Sequence, residues 1–201
     1  MKLIVAPAAA GLMLAVAAPA AAQVADTAGG FHAGPVVGVD VSDIDDETLT
    51  GIVYGITAGY DFGGPGAVFG IEAELTDTSI EQEERDVLEA GDVLTASFGR
   101  DIYIGGRAGV RSGRGILYIK GGYTNLEGKL EYGSPSGFFS ESTDVDGYRL
   151  GAGGEFPLSG NLVARLEYRY SNYGGGDDSD EFDATGDLER HQGVATLLFK
   201  F

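Results

Sequence analysis

The chain has 201 residues, a formal charge of −18 and no cysteine. That length suits one domain, the acid excess opposes nucleic acid binding, which needs a basic surface, and no disulfide or thiol chemistry is available to it. With 34 Gly, 10 Tyr and 10 Phe, the composition disfavours helices and suits strands joined by tight turns.

Residues 1–22 read as a secretory signal peptide: Lys2, an apolar run from Leu3 to Ala18, then Pro19-Ala20-Ala21-Ala22, with small residues placed for cleavage before Gln23. A membrane anchor fits less well, because the run is Ala-rich and is followed by small rather than basic residues. The expected organisation is therefore a leader, 1–22, and one domain, 23–201. No later stretch approaches the roughly 20 apolar residues of a spanning helix.

From residue 31 onward the chain alternates apolar and polar positions in eight segments, the period-2 signature of strands with two unlike faces. The first, 31–41, sets Phe31, Ala33, Pro35, Val37 and Val39 against His32, Gly34, Val36, Gly38 and Asp40. The second, 52–62, sets Ile52, Tyr54, Ile56, Tyr60 and Phe62 against Val53, Gly55, Thr57, Gly59 and Asp61. In the third, 67–76, Phe69, Ile71, Ala73 and Leu75 oppose Gly70, Glu72, Glu74 and Thr76. The fourth, 94–111, places Ile102, Ile104, Ala108 and Val110 opposite Asp101, Tyr103, Arg107 and Arg111. The fifth, 116–126, places Leu117, Ile119 and Tyr123 opposite Tyr118, Lys120 and Thr124. The sixth, 146–156, has Tyr148, Leu150 and Phe156 against Arg149 and Glu155, and the seventh, 162–171, has Leu162, Leu166, Tyr168 and Tyr170 against Arg165, Glu167 and Arg169. The eighth, 192–201, ends on Phe199-Lys200-Phe201, with Leu198 interrupting its polar set. Pro35 lacks an N–H and asks for a bulge or an unpaired position within its strand.

Connections at 63–66, 112–115 and 157–161 are short and rich in turn residues. Those near 42–51, 77–93, 127–145 and 172–188 read as long acidic loops. Short turns on one side, long loops on the other and an even strand number predict an eight-stranded antiparallel transmembrane up-and-down β-barrel. A soluble β-sandwich gives regular strand spacing too, but needs no lipid-like face on every strand. Aromatic residues sort to the ends of the apolar faces: Phe31, Tyr60, Phe62, Phe69, Phe156, Phe199 and Phe201 at the short-turn end, and Tyr54, Tyr123, Tyr148, Tyr168 and Tyr170 at the other. That is the arrangement of two interfacial girdles.

A cation facing lipid at the midplane costs about 2–4 kcal/mol, so the polar faces are expected to line the lumen. They carry Asp40, Asp61, Glu72, Glu74, Asp101, Glu155 and Glu167, balanced by Arg107, Arg111, Lys120, Arg149, Arg165, Arg169 and Lys200. In a barrel just wide enough for side chains to fill, these should pair, Glu72 and Glu74 facing Arg107 and Lys120, with Glu72, Glu74, Arg107, Lys120, Arg149, Glu155, Arg165, Glu167 and Arg169 as the network. Inward glycines leave room for the long side chains. A filled polar core is favoured over a conducting path by barrel size, with a narrow gated pore for small solutes as the second function class.

The remaining charge is assigned to the loops and is overwhelmingly acidic, 23 acids against Arg85, Lys129 and Arg190. Asp177, Asp178, Asp180 and Asp183 are candidates for divalent cations, but their run lacks EF-hand spacing and its central Gly. Loose cation bridging to anionic lipid headgroups is the more natural use of such loops. A third class, a lipid A-modifying enzyme with a His–Ser pair near the outer rim, meets an obstacle of parity: His191 faces lipid and Ser171 faces the lumen, and nucleophile and base must come within reach. No cofactor is implied.

Several stretches carry a family likeness: Gly99-Arg-Asp-Ile-Tyr-Ile-Gly-Gly-Arg-Ala-Gly109, Leu117-Tyr-Ile-Lys-Gly-Gly-Tyr-Thr-Asn125, Glu167-Tyr-Arg-Tyr-Ser-Asn-Tyr-Gly174 and the terminal Phe201. Together they resemble the small opacity-protein-like, OmpA-barrel-like outer membrane proteins often labelled porin family. The resemblance implies an outer membrane location, a monomeric barrel with a charged core, and a surface-antigen, adhesive or envelope-integrity role rather than catalysis. It also implies contact with outer membrane lipid, including lipopolysaccharide, and recognition of Phe199 and Phe201 by the barrel-assembly machinery. The chain departs from the family pattern in having no Trp in its girdles, Pro35 within a strand, and acidic rather than basic loops, and no peptidoglycan-tethering domain is expected to follow the barrel.

Overall fold

The computed structural model describes residues 29–44, 47–64, 66–87, 91–135, 137–174 and 188–201. The expected leader, 1–22, lies outside them. The strands are β1 (Gly30–Ile44), β2 (Glu47–Gly63), β3 (Ala67–Thr78), β4 (Glu81–Arg85), β5 (Val93–Ser112), β6 (Gly115–Ser134), β7 (Gly137–Ser159), β8 (Leu162–Tyr173) and β9 (Leu188–Lys200). All pairings between them are antiparallel. Eight strands close a ring, because β1 pairs both β2 and β9 while β3 pairs β5; β4 adds only to the outer part of β5. The eight alternating segments are these eight ring strands.

Closure removes every barrel edge, and alternation does the rest. Along β3 the burial pattern is strictly alternate, with Glu72 and Glu74 buried and Phe69 and Ile71 exposed. The same phase holds on the other ring strands, so an apolar belt of Ile, Leu, Val and aromatic side chains covers the outside. At the short-turn end Phe31 packs edge-on against Tyr60 at 4.7 Å, and Tyr60 against Phe62 at 4.8 Å. At the other end Tyr148, Tyr168, Tyr170 and His191 form a second outward cluster.

The short turns have a local cause. Gly113, with φ 60°, and Gly160, with φ 50°, each hold the first central position of a two-residue turn. That position needs positive φ in hairpins whose twist matches the strands. Pro35 takes the unpaired solution: β1 and β9 pair at Ala33↔Phe199 and again at Val36↔Thr196, and Gly34 and Pro35 drop out of that ladder.

Three of the four expected long loops contain strand: two of them, 42–51 and 127–145, largely, and 77–93 in part. β1 and β2 pair out to Ile44↔Glu47, β4 occupies part of 77–93, and β6 and β7 pair out to Ser134↔Gly137. Their acidity made them look like coil, yet a strand standing above a membrane needs no apolar outer face. The outer parts of β5, β6 and β7, with β4, thus form a four-stranded sheet that projects beyond the ring. Here the polarity reverses. On β5 a bulge between Phe98 and Asp101 shifts the register, so that Phe98, Ala96 and Leu94 continue the lumen-side face. They lie opposite Gly128, Leu130 and Tyr132, which in turn lie opposite Thr143, Glu141 and Phe139. The outer face carries Glu127, Lys129 and Glu131 beside Asp144, Ser142 and Ser140. Where the projecting sheet meets the ring, Leu126, Tyr173 and Leu188 cluster over the lumen with Phe98 and Val145 against them.

Candidate functional site in the barrel lumen

Long charged side chains fill the ring. Near the short-turn end, Arg107 from β5 places Nε 2.9 Å from Asp61 Oδ1 on β2 and Nη1 2.6 Å from Glu155 Oε1 on β7. Lys200 Nζ joins the same two acids at 3.4 and 3.0 Å. Arg165 from β8 reaches Glu155 at 2.8 Å and also pairs with Glu72 on β3. His32 sits between Asp61 and Glu72, its ring nitrogens 3.6 and 3.4 Å from their carboxylates.

One layer further out, Lys120 from β6 holds three acids at once: Glu72 at 3.0 Å, Glu74 at 2.7 Å and Glu167 at 2.9 Å. Arg169 bridges Glu74 at 2.8 Å and Glu167 at 3.0 Å, and Tyr118 donates its hydroxyl to Glu167. Arg149 on β7 links this layer to the next, with Glu74 at 3.5 Å and Asp101 as its closer partner. Asp101 also takes Arg190 at 3.1 Å, the Tyr173 hydroxyl at 3.0 Å and the Thr124 hydroxyl at 2.7 Å. Arg190 ends the chain of pairs on Asp40 of β1.

Two tyrosines pack within this network. Lys120 lies 4.7 Å and Arg149 5.5 Å from the Tyr103 ring centroid, while Arg107 and Arg165 lie 4.8 and 5.2 Å from that of Tyr118. Such contacts strengthen where water is displaced. Glycine makes the space for rings. A Cβ on Gly105 would come within 2.1 Å of the Tyr103 hydroxyl, and one on Gly59 within 2.6 Å of His32 Nε2.

Thus Glu72, Glu74, Arg107, Lys120, Arg149, Glu155, Arg165, Glu167 and Arg169 converge in one buried assembly. Two details differ from the sequence expectation. Arg107 serves Asp61 and Glu155, with Glu72 only at 4.0 Å, while Lys120 faces both Glu72 and Glu74. Arg190, counted as a loop charge, is 1% exposed inside the lumen, and Arg111 makes no ion pair among the described residues. The signal for Arg190 was available: counting back from Lys200 in steps of two places it on the inward face of the last strand.

Each buried ion is costly unless paired and hydrogen-bonded, and acids and bases of the lumen answer one another. The arrangement is a plug of mutual neutralisation. Among the described residues the Ser171 and His191 pair considered from the sequence is not assembled. Ser171 lies inward, accepting from Arg149 Nε at 2.8 Å, while His191 points outward with Nδ1 2.7 Å from the Tyr168 hydroxyl. Among the described residues no group of His, Asp and Glu is arranged to hold a metal ion; Asp177, Asp178, Asp180 and Asp183 lie outside them.

Comparison with known proteins gives the same fold. The family model described as outer membrane protein beta-barrel domain matches residues 8–201. Neisserial surface protein A superposes with a TM-score of 0.54 at 14% identity, covering 86% of this chain and 97% of its own. Ail, the attachment invasion locus protein of Yersinia pestis, in complex with the heparin analogue sucrose octasulfate, gives 0.53 at 16% identity over 86% and 99%. A major outer membrane protein from Thermus thermophilus gives 0.54 at 10% identity over 84% and 99%. At these identities the likeness is one of fold. No curated protein sequence matches the chain.

Proposed function

The chain belongs to the outer membrane protein β-barrel family and resides in the outer membrane, and we propose that it is a non-catalytic surface or envelope protein whose barrel anchors rather than conducts. The observation that carries this reading is the unbroken run of ion pairs from Lys200 and Asp61 near one end of the lumen, through Glu72, Lys120 and Glu74, to Asp101, Arg190 and Asp40 near the other. A solute crossing the lumen would have to separate several buried pairs at once. Single-channel recording on the purified protein in planar bilayers should show no steps; a steady unitary conductance would replace this reading with that of a narrow pore.

A lipid A-modifying role is opposed by the opposite orientations of Ser171 and His191 on neighbouring strands. Overexpression is expected to leave the lipid A mass spectrum unchanged. The apolar belt seats the protein in lipid that includes lipopolysaccharide, and the acidic outer surface suits loosely held divalent cations. A closed ring leaves no barrel edge to share, in keeping with a monomer. At the other end Phe199 and Phe201, 44% and 61% exposed, are the residues offered to the barrel-assembly machinery. Deleting Phe201 should impair assembly, read as loss of the heat-modifiable gel band. A deletion strain scored for detergent sensitivity and for surface attachment separates the envelope role from the adhesive one.

A further inference from the structure

The inward cations of the ring follow one rule, with one exception among the described residues. From Lys200 near the short-turn end to Arg190 near the other, each holds at least one carboxylate. Arg111 on β5 holds none. It has the parity of Tyr103 and Arg107 and so belongs to the inward face. Its backbone is fixed at the mouth of the ring, where the Arg111 N–H donates to the Gly66 carbonyl at 3.2 Å. The side chain is half-buried, and its Nε is shielded from solvent without an acceptor.

The cause is local. Gly109 lies between Arg107 and Arg111 on the inward face, and a Cβ there would come within 2.9 Å of Ile116 Cγ2 and 3.0 Å of Tyr118 Cβ. Ile116 and Tyr118 thus lean over Gly109, and both cluster with Val68. All three are buried, and they separate Arg111 from Asp61 and Glu155, the carboxylates that Arg107 takes. Arg111 is the next inward residue toward the turn, beyond that apolar floor. Arg114, in the adjoining turn, is exposed, so water can serve it. Water serves Arg111 less well, because a buried donor without a partner is costly. A guanidinium fork in such a place suits an oxyanion, whose charge-assisted hydrogen bonds are the stronger kind.

We propose that Arg111 is an oxyanion site at the short-turn mouth, the end that faces the periplasm in such barrels. It takes one carboxylate or phosphate group, carried by a soluble molecule or by an inner-leaflet lipid headgroup. The site lies beyond the ion-pair plug and does not depend on whether the lumen is sealed.

The test uses the purified full chain, with its arginines labelled with nitrogen-15, in maltoside micelles, which carry no phosphate. The Nε–H resonance of Arg111 is assigned by its loss in Arg111→Lys. Acetate, inorganic phosphate and phosphatidylglycerol are each titrated at constant ionic strength, with chloride as the reference. At least one of the three should shift that resonance in a saturable way, with an affinity at least tenfold above that read at Arg114. A response to acetate or phosphate assigns a soluble anion, and a response to phosphatidylglycerol alone assigns a headgroup. Arg111→Gln should abolish binding and Arg111→Lys weaken it about tenfold, both with the heat-modifiable gel band retained as proof of folding. No shift with any of the three, an equal shift with chloride, or equal affinity at Arg114 would overturn the proposal.

Discussion

The ring and the projecting sheet share three strands, yet they are opposites in polarity. Below the Phe98–Asp101 bulge, β5, β6 and β7 are apolar outside and charged inside; above it they are mostly polar outside, Phe138 apart, and mostly apolar toward the lumen side, Thr143 and Glu141 apart. The difference shows that a strand has no fixed inside. Lipid demands apolar side chains, water tolerates charge, and each face is written for the medium it meets. The cluster of Leu126, Tyr173 and Leu188 stands where the two rules change over. It lies directly beyond Asp101 and Arg190, and so screens the outermost ion pairs from solvent.

The largest test of that comparison is inside the ring. Arg165→Met leaves the buried cluster one cation short, with Glu72 held closely only by Lys120 and Glu155 only by Arg107 and Lys200, and should cost about 3–5 kcal/mol, measured as urea unfolding followed by gel mobility. Next is the lipid face. Leu166 sits midway along the outward row of β8 at 59% exposure, and Leu166→Arg should cost about 2–4 kcal/mol in lipid vesicles. The boundary cluster is less demanding: Leu126→Val removes one methylene and should cost about 1 kcal/mol. The outer face of the projecting sheet should be nearly indifferent, with Ser140→Arg changing stability by less than about 0.5 kcal/mol. A penalty there as large as that of Leu166→Arg would mean that the sheet lies in lipid rather than above it.

The expected alternation holds through all eight ring strands, down to Leu198, whose side chain is fully buried although it breaks the polar pattern. Alternation is legible because side-chain direction in a strand depends only on parity. The projecting sheet was not legible, because acidic outward residues between 127 and 145 have the composition of coil. Its other face, Leu126, Leu130, Tyr132, Phe139 and Val145, carries the strand signal in reversed phase. Arg190 was missed for a related reason: it follows acidic residues and precedes the apolar run, so composition assigned it to a loop while parity assigned it to the lumen.

The sequence by itself determined the strand number, the inward set of charges, the apolar belt and the aromatic girdles, since all of these follow from local periodicity. Only the tertiary structure decided which charge meets which. Partners such as Arg165 and Glu72, or Arg190 and Asp40, lie far apart in the chain, and barrel closure and register bring them together.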